Sequence, residues 1–284
     1  MLLSESVFQP ETYGPPVLQK HEFCWIREYL YKTAGIALND SKRALVSGRL
    51  DKRLRHHGMS SYGEYFRLIG KPGFERETSI AIDLLTTNET YFFREPRHFE
   101  FLTRQVFPRL AAGRPLRFWS AASSSGEEAY TMAMLAAEYC KTRQWEIIGT
   151  DISYRVLEKA RKGLYPISCA EKIPVLLLRK YCLKGSGDYD GFFLINSALR
   201  KHVKFIHANL NDKLPNLGRF DVIFLRNVMI YFDIPTKESL VQRMQAYLRP
   251  GGYLIVGHSE SLNGMKNDLR VVAPSIYRKI ADKE

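Results

Sequence analysis

The chain has 284 residues, of which 45% are hydrophobic and 25% charged, proportions typical of folded globular proteins. These proportions exclude a disordered chain or a coiled coil, and no apolar run reaches the ~18 residues that a membrane span needs. The net charge of +12 at pH 7 favours an acidic partner, either nucleic acid, a membrane surface or an acidic protein, but it fits a basic surface that only aids solubility equally well.

Residues 1–16 contain three prolines and no sustained periodicity, which predicts a flexible lead. They lack the basic segment and long apolar core of an export signal. The cysteines are far apart and show no metal-ligand spacing: Cys24, Cys140, Cys169 and Cys182. We therefore expect reduced thiols, a cytoplasmic protein and no metal site.

Residues 17–85 carry apolar side chains at helical spacing, which predicts an all-α N-terminal domain. Asn39, Asp40 and Ser41 are typical of a helix N-terminus, and Gly58 is typical of a helix end. Between Lys42 and Arg55 the sequence KRALVSGRLDKRLRHH holds six Lys/Arg and one Asp. Such a basic helix suits nucleic acid or an acidic protein surface, and no RNA-binding signature or zinc motif accompanies it.

Residues 86–96 form a predicted linker that contributes to a ligand site. Asn88, Thr90 and Arg94 are polar residues positioned to point into such a site. The aromatic residues 91–93 either cover the site or simply join two domains. Arg94 follows this apolar triplet, so we expect it to be half-buried and to need an anionic partner.

Residues 97–284 alternate short apolar strands with helical segments, a pattern that predicts an α/β domain with a parallel sheet. In such sheets, ligands bind beyond the carboxyl ends of the strands. A glycine-punctuated segment at about 180–203 interrupts the alternation and predicts a small antiparallel β insertion.

The strand-to-helix turn WSAASSSGEEAY, residues 119–130, is poor in glycine but rich in small side chains. Small side chains let the backbone approach a ligand. Glu127 and Glu128 would repel a pyrophosphate at this helix start but suit a cationic ligand such as S-adenosylmethionine. Alternatively, both glutamates serve only as partners of the helix dipole.

Two further strand ends carry polar residues. Asp151 ends the strand EIIGTDI, where an acidic side chain accepts hydrogen bonds from ribose hydroxyls; the alternative is that Asp151 or Ser153 caps the next helix. Arg226, Asn227 and Tyr231 follow the buried strand VIFL. Their surroundings do not match the Asn-Pro-Pro-Tyr type of motif, which counts against a methyltransferase that modifies nucleic acid bases.

Five motifs together closely resemble the CheR family of chemotaxis receptor methyltransferases: TTNETYFFREPRHF, WSAASSSGEEAY, GTDIS, FLRNVMIYFD and LRPGGYLIVGHSESL. The resemblance covers nearly the whole chain from about residue 18. It implies an all-α N-terminal domain followed by a class I S-adenosylmethionine-dependent, Rossmann-like methyltransferase domain with a small inserted antiparallel β-subdomain. The implied activity is methylation of receptor glutamates, which yields methyl esters and S-adenosylhomocysteine.

The resemblance also implies roles for individual residues. Nine match residues that bind the cofactor: Asn88, Thr90, Arg94, Glu128, Asp151, Asn209, Leu210, Leu225 and Arg226. Of these, Glu128 would contact the amino-acid end, Asp151 the ribose, and Asn209 with Leu210 the adenine edge. Arg94 and Tyr231 are the implied neighbours of the transferred methyl group.

The implied partners are the acidic cytoplasmic domains of chemoreceptors, with a receptor C-terminal peptide as a further candidate ligand of the β-subdomain. We expect a monomer that binds no nucleic acid and inserts into no membrane. Two alternatives stay open, a nucleic acid methyltransferase and a receptor-binding protein that has lost turnover. A nicotinamide-dependent dehydrogenase is disfavoured because the turn lacks the GxGxxG pattern.

Overall fold

The computed structural model describes residues 16–110, 114–140 and 144–280. Apart from residue 16, the expected flexible lead lies outside these residues. The described residues form two compact units, the first made of residues 16–29 with Leu38–Leu85 and the second of Leu30–Ala37 with the described residues from Thr86 onward.

The first unit is helical, as its periodicity predicts. Its helices are α1 (Lys20–Ala34), whose last residues from Leu30 belong to the second unit, α2 (Arg43–His56), α3 (Tyr62–Ile69) and α4 (Glu75–Leu85). Phe23, Ile26, Leu50 and Tyr65 are fully buried and form its core. Ser61 caps α3 by accepting a hydrogen bond from the amide of Glu64.

A buried carboxylate ties α2, α3 and α4 together inside this unit. Glu77 is 8% exposed and accepts hydrogen bonds from the Arg53 guanidinium and, at 2.7 Å, from the Tyr65 hydroxyl. His57 Nε2 lies 3.2 Å from the same carboxylate. Burial alone would raise the pKa of Glu77, but these partners outweigh it and lower the pKa.

The second unit contains a seven-stranded sheet in the order β6-β2-β1-β7-β8-β10-β9. Its strands are β1 (Leu116–Ala121), β2 (Trp145–Asp151), β6 (Val203–His207), β7 (Phe220–Leu225), β8 (Leu248–Val256), β9 (Leu269–Ala273) and β10 (Ile276–Lys279). The first five strands in this order pair in parallel, and β10 pairs antiparallel with both β8 and β9. The predicted fold class is confirmed.

The sheet register brings the strand ends together at one edge. Ala121 lies opposite both Thr150 and Leu225, and Leu225 lies opposite Val256. The residues that follow β1, β2, β7 and β8 therefore meet at the carboxyl edge of the sheet, where α/β proteins bind their ligands.

Helices cover this sheet. They are α5 (Pro96–Phe101), which continues as a π-helix over Leu102–Val106 and a 3₁₀ turn over Phe107–Arg109, then α6 (Glu127–Tyr139), α7 (Tyr154–Lys162), α8 (Val175–Tyr181), α9 (Ser197–Arg200) and α10 (Ile234–Tyr247). Buried aromatic residues fill the space between these layers, with the rings of Phe99 and Phe224 stacked at 5.5 Å.

A small antiparallel sheet of order β3-β5-β4 is inserted between α7 and β6. It consists of β3 (Leu164–Pro166), β4 (Cys182–Lys184) and β5 (Phe192–Ile195). The strands β4 and β5 lie in the segment expected at about 180–203, whereas β3 comes from an earlier part of the chain. Buried Phe193 joins this sheet to the core of the unit.

We found no helix in the described part of the chain with the length and apolar character needed to cross a membrane.

Candidate functional site

The turn between β1 and α6 adopts an unusual backbone. Ala122, Ser124 and Gly126 have positive φ angles of 68°, 47° and 97°. A side chain on Gly126 would lie 2.9 Å from Ala160 Cβ and 3.0 Å from the Phe205 ring. The one glycine of the turn is therefore required by both backbone conformation and close packing, and the strain at the two other positions is of a kind that clusters at functional sites.

Asp151, at the end of β2, supports this turn. Its Oδ2 accepts a hydrogen bond from the Ser124 amide at 2.9 Å, and its Oδ1 accepts one from the Ser153 amide at 3.0 Å. The Ser124 hydroxyl donates to the Asn88 carbonyl at 3.1 Å. Ser153 caps α7 by accepting a hydrogen bond from the Val156 amide. The helix cap is therefore Ser153 and not Asp151.

Arg226, directly after β7, lies at the centre of the site. Its side chain is 1% exposed and contacts two carboxylates, with Nη1 3.0 Å from Glu128 Oε2 and Nη2 3.1 Å from Glu95 Oε2. Nη2 also donates to the Arg94 carbonyl. The guanidinium lies over the rings of Phe99 and Phe224 at 5.4 and 5.6 Å. These contacts fix three chain segments around one cation.

The two glutamates of α6 have different surroundings. Glu128 accepts a hydrogen bond from the Ser120 hydroxyl at 2.6 Å in addition to its ion pair with Arg226. Burial raises the pKa of Glu128, and Arg226 and Ser120 oppose this shift. Glu127 is 5% exposed and its carboxylate accepts from the Ser125 hydroxyl; burial outweighs this hydrogen bond and raises the pKa of Glu127 to about 7.

Residues 86–96 cross the carboxyl edge of the sheet. Phe93 and Glu95 have positive φ angles of 57° and 58°, and the Phe93 amide donates to the Thr131 hydroxyl at 3.2 Å. Phe92 is fully buried in the core of this unit, where its ring lies 5.0 Å from that of Tyr165. The aromatic residues at 91–93 therefore differ in role, since Tyr91 is 41% exposed.

Arg94 is half-buried, as its sequence context predicts. Its guanidinium donates to the Glu89 carbonyl and lies 5.7 Å from the Tyr91 ring. Thr90, directly before Tyr91 in the sequence, is also half-buried. The Asn88 side chain donates to the Thr86 hydroxyl at 3.4 Å, close to the turn that its carbonyl contacts.

The remaining candidate residues line neighbouring strand ends. Leu225 is the last residue of β7, and Leu210 is 7% exposed beyond β6. The Asn209 side chain makes three hydrogen bonds: its Nδ2 donates to the Thr33 carbonyl and to Asp212 Oδ2, and its Oδ1 accepts from the Asn211 backbone amide. The Tyr231 carbonyl accepts from the Ala37 amide at 2.8 Å.

Two carboxylates of this site were missed in the sequence. Glu95 pairs with Arg226 and accepts from Asn227 Nδ2 at 3.2 Å. Burial would raise the pKa of Glu95, but the charge of Arg226 and these hydrogen bonds lower it. Glu260 is 6% exposed and accepts from the amides of Gly257, Asn227 and Ile230. The signal for Glu260 was its place four residues after the end of the buried strand GYLIV.

Three potential metal ligands, Glu95, His98 and His258, have donor atoms within 4.8 Å of one another. His98 is buried, and its desolvation together with the nearby Arg226 charge lowers its pKa to about 3. Arg226 already pairs with Glu95 Oε2, and the charge of this guanidinium disfavours a second cation beside it. We assign no metal to this cluster.

The donor set of the site fits S-adenosylmethionine. The buried Ser123 hydroxyl has no hydrogen-bond partner among the described residues, and it lies in the turn between β1 and α6. Glu128 offers a carboxylate for an ammonium group, and Asp151 offers one for ribose hydroxyls. Gly126 lacks a Cβ at a position where a Cβ would collide with Ala160, so this residue allows the turn to pack closely.

The chain is similar to known proteins along most of its length. Residues 21–86 match the family described as "CheR methyltransferase, all-alpha domain", and residues 88–277 match "CheR methyltransferase, SAM binding domain". It is 40% identical to chemotaxis protein methyltransferase 2 of Pseudomonas aeruginosa, covering 91% of this chain and 92% of the relative.

Two further relatives agree in length and family. The chemotaxis protein methyltransferase of Borreliella burgdorferi is 37% identical and that of Escherichia coli is 37% identical. The alignments cover 92% of this chain in both cases, and 95% and 91% of the respective relatives. The expected resemblance is thus confirmed by both domains and by full-length relatives, and the chain belongs to the CheR methyltransferase family.

Proposed function

We propose that this protein methylates glutamate side chains of bacterial chemoreceptors and thereby serves adaptation in chemotaxis. S-adenosylmethionine is the methyl donor, since residues 88–277 match a SAM-binding domain, and S-adenosylhomocysteine is the product. The observation that carries the proposal is the ion pair of buried Arg226 with Glu128 beside the small-residue turn, in a chain that matches both domains of this family.

We assign the cofactor contacts by the chemistry of each group. Glu128 binds the ammonium group, because Ser120 and Arg226 fix both of its oxygens. Asp151 binds the ribose, while Asn209 and Leu210 border the adenine. Asn88, Thr90, Arg94, Leu225 and Arg226 complete the binding set that the sequence predicts. In this arrangement Arg226 acts as the cation that orients Glu128.

The reaction asks little of the protein in acid–base terms. S-adenosylmethionine, when bound, supplies an electrophilic methyl group on a sulfonium. A glutamate side chain with a pKa near ~4.3 is ionised at neutral pH and is itself the nucleophile, so no strong general base is needed. The chain must therefore align the carboxylate and exclude water.

We propose that Arg94 and Tyr231 perform this alignment. Arg94 is half-buried, and its guanidinium retains donors beyond the one bonded to the Glu89 carbonyl. It is thus suited to orient the substrate carboxylate. Tyr231 follows Arg226 and Asn227 in the sequence and is half-buried. We assign its ring to the wall of the methyl pocket.

The proposed partners are the acidic cytoplasmic domains of chemoreceptors, reached by a cytoplasmic monomer. A receptor C-terminal peptide is a further candidate ligand of the small sheet, because β3 and β4 form its edges and an extended peptide can add to such an edge. We propose no binding to nucleic acid and no insertion into membranes.

The decisive test is incubation with receptor-containing membranes and methyl-labelled S-adenosylmethionine. We expect label on the receptor that alkali releases as volatile methanol, the property of a carboxyl ester. Label on added nucleic acid, or alkali-stable label on protein, would contradict the proposal. Cofactor binding without any transfer to receptors would indicate the inactive receptor-binding protein instead.

A further inference from the structure

A groove lies outside the cofactor site, between the helical run that starts with α5 and the strands β8 and β10. Two adjoining cavities of about 530 and 430 Å³ form it, and Phe101 and Gln105 line both. The proposed cofactor residues and the methyl-pocket residues are absent from its lining. The groove is therefore a separate feature of the second unit.

The helical run from Pro96 to Arg109 has two faces. Its inner face buries Phe99, Leu102 and Val106 in the core. Its outer face places Arg97, Glu100, Phe101, Arg104, Gln105 and Arg109 along the groove, at spacings near one helical turn. The π-helix at Leu102–Val106 lies within this run, and such segments are frequent at functional sites.

The groove is strongly basic. Arg97, Arg104 and Arg109 line it on one side and Arg278 on the other, and Glu100 is the one acidic residue in its lining as far as the chain is described. All four arginines are exposed. Among the residues that the structure describes, no carboxylate forms an ion pair with any of them. A cleft lined by one sign of charge attracts ligands of the opposite sign, and guanidinium groups match carboxylates in geometry.

The groove also has an apolar floor. The rings of Phe101 and Tyr253 lie 5.9 Å apart, and Ile276 is buried beside them. Val272 of the sheet-edge strand β9 is 40% exposed at the rim, next to Val271 at 56%. This combination suits a chain segment that carries both carboxylates and apolar side chains, since charge alone would not need such a floor.

One end of the groove reaches residues that contact Glu95, the neighbour of Arg94 in the chain. His98 and His258 line this end. The His258 amide donates to Glu95 Oε2 at 3.3 Å, and His98 Nδ1 lies 3.2 Å from the same oxygen. Glu95 directly follows Arg94, the residue assigned to orient the reacting carboxylate. A segment in the groove would thus continue towards the methyl pocket.

We propose that this groove docks an acidic stretch of the chemoreceptor that flanks the glutamate being methylated. The inference rests on the proposed function, which makes the partner a protein with at least one reactive carboxylate. Arg104 and Arg109 bind its carboxylates, while Phe101 and Val272 contact its apolar side chains.

The test reverses two charges in the groove, Arg104→Glu with Arg109→Glu. The matched control, Lys201→Glu with Arg219→Glu, makes the same change in net charge at exposed residues just before β6 and β7, at the amino ends of these strands and away from the carboxyl edge. Steady-state methylation is measured with the soluble cytoplasmic fragment of a receptor, and cofactor affinity by calorimetry.

We expect the groove variant to raise KM for the receptor about five- to tenfold, with unchanged cofactor affinity and a control within about twofold of wild type. The pair Arg104→Gln with Arg109→Gln should give a smaller rise in KM, which separates charge from folding. An unchanged KM in either groove variant would overturn the docking proposal while the proposed function stands.

Two outcomes separate the remaining possibilities. If the wild-type protein binds S-adenosylmethionine but methylates no receptor, the proposed function fails and the docking proposal fails with it. If the groove variants lose binding to vesicles of phosphatidylserine and phosphatidylcholine while KM for the soluble receptor stays unchanged, the groove binds an anionic membrane, and the proposal is wrong.

Discussion

Single residues at the carboxyl edge of the sheet determine what this protein can bind. Arg226 is the strongest example, since one buried guanidinium neutralises both Glu95 and Glu128. Removing one member of such a buried ion pair leaves an unpaired charge, which typically costs about 3–5 kcal/mol. Residues of the site that lie outside this ion-pair cluster therefore make better probes of catalysis than Arg226 itself.

Arg94 and Tyr231 are such probes. Arg94→Ala should reduce kcat on a receptor by about tenfold to a hundredfold, because the substrate carboxylate loses its orienting partner. Tyr231→Phe tests whether the hydroxyl contributes beyond the ring, and we expect a smaller loss. Initial rates with labelled cofactor measure both, with Arg219→Ala as the control at an exposed arginine. Full turnover in both site variants would contradict the assigned roles.

Glu127 gives a prediction for pH. Its pKa in the folded protein is about 7, above the usual value of 4.5. The folded state therefore retains a proton that the unfolded state loses, so the stabilising contribution is present below pH ~4.5 and is lost as the pH rises through ~7. The unfolding free energy of Glu127→Gln relative to wild type should therefore increase by up to about 3 kcal/mol as the pH rises from about 5 to about 8.

Urea unfolding at about pH 5 and about pH 8 measures this difference. The control is Glu158→Gln, at an exposed residue of the neighbouring helix α7. His98 also titrates abnormally, but it is present in wild type and variant alike, so the comparison isolates Glu127. A stability difference that does not change with pH would show that Glu127 is ionised in the folded protein.

At the scale of elements, the basic helix α2 divides into residues with structural roles and residues facing solvent. Arg53 pairs with buried Glu77, and Arg49 donates to the carbonyls of Leu84 and Leu85. Lys42 and Lys52 are exposed. A test of α2 as a docking surface must therefore spare Arg49 and Arg53, a distinction that the sequence alone did not reveal.

We expect Lys42→Glu with Lys52→Glu to raise KM for a receptor and to weaken its dependence on salt, because exposed charges act mainly through screened, long-range attraction. Arg53→Glu should instead unfold the helical unit, since it places two carboxylates together. Kinetics at low and high salt, combined with thermal unfolding, measure these effects. An unchanged KM in the lysine variant would exclude α2 as a receptor-binding surface.

Elements whose signals are local were predictable from the sequence, and long-range pairings were not. The alternation of strands and helices predicted the α/β domain, with the turn WSAASSSG and Asp151 at candidate strand ends, and the Ser124 amide does bond Asp151. Glu95 was missed because its partner Arg226 lies 131 residues away in the chain. The strand β3 was missed because three residues are too short to show a period-two pattern.

At the scale of the whole molecule, we propose that the carboxyl edge of the sheet forms a pocket for a cationic methyl donor. Glu128 is the central residue of this pocket, since its carboxylate is oriented by Ser120 and Arg226.

Calorimetric titration of the whole protein with S-adenosylmethionine tests this proposal most directly. Wild type and the Glu158→Gln control should bind with equal affinity, while Glu128→Gln should bind about tenfold or more weakly because a charge-assisted hydrogen bond is lost. The urea unfolding curve of Glu128→Gln shows whether it is folded. Wild-type affinity in a folded Glu128→Gln variant would contradict the cationic pocket.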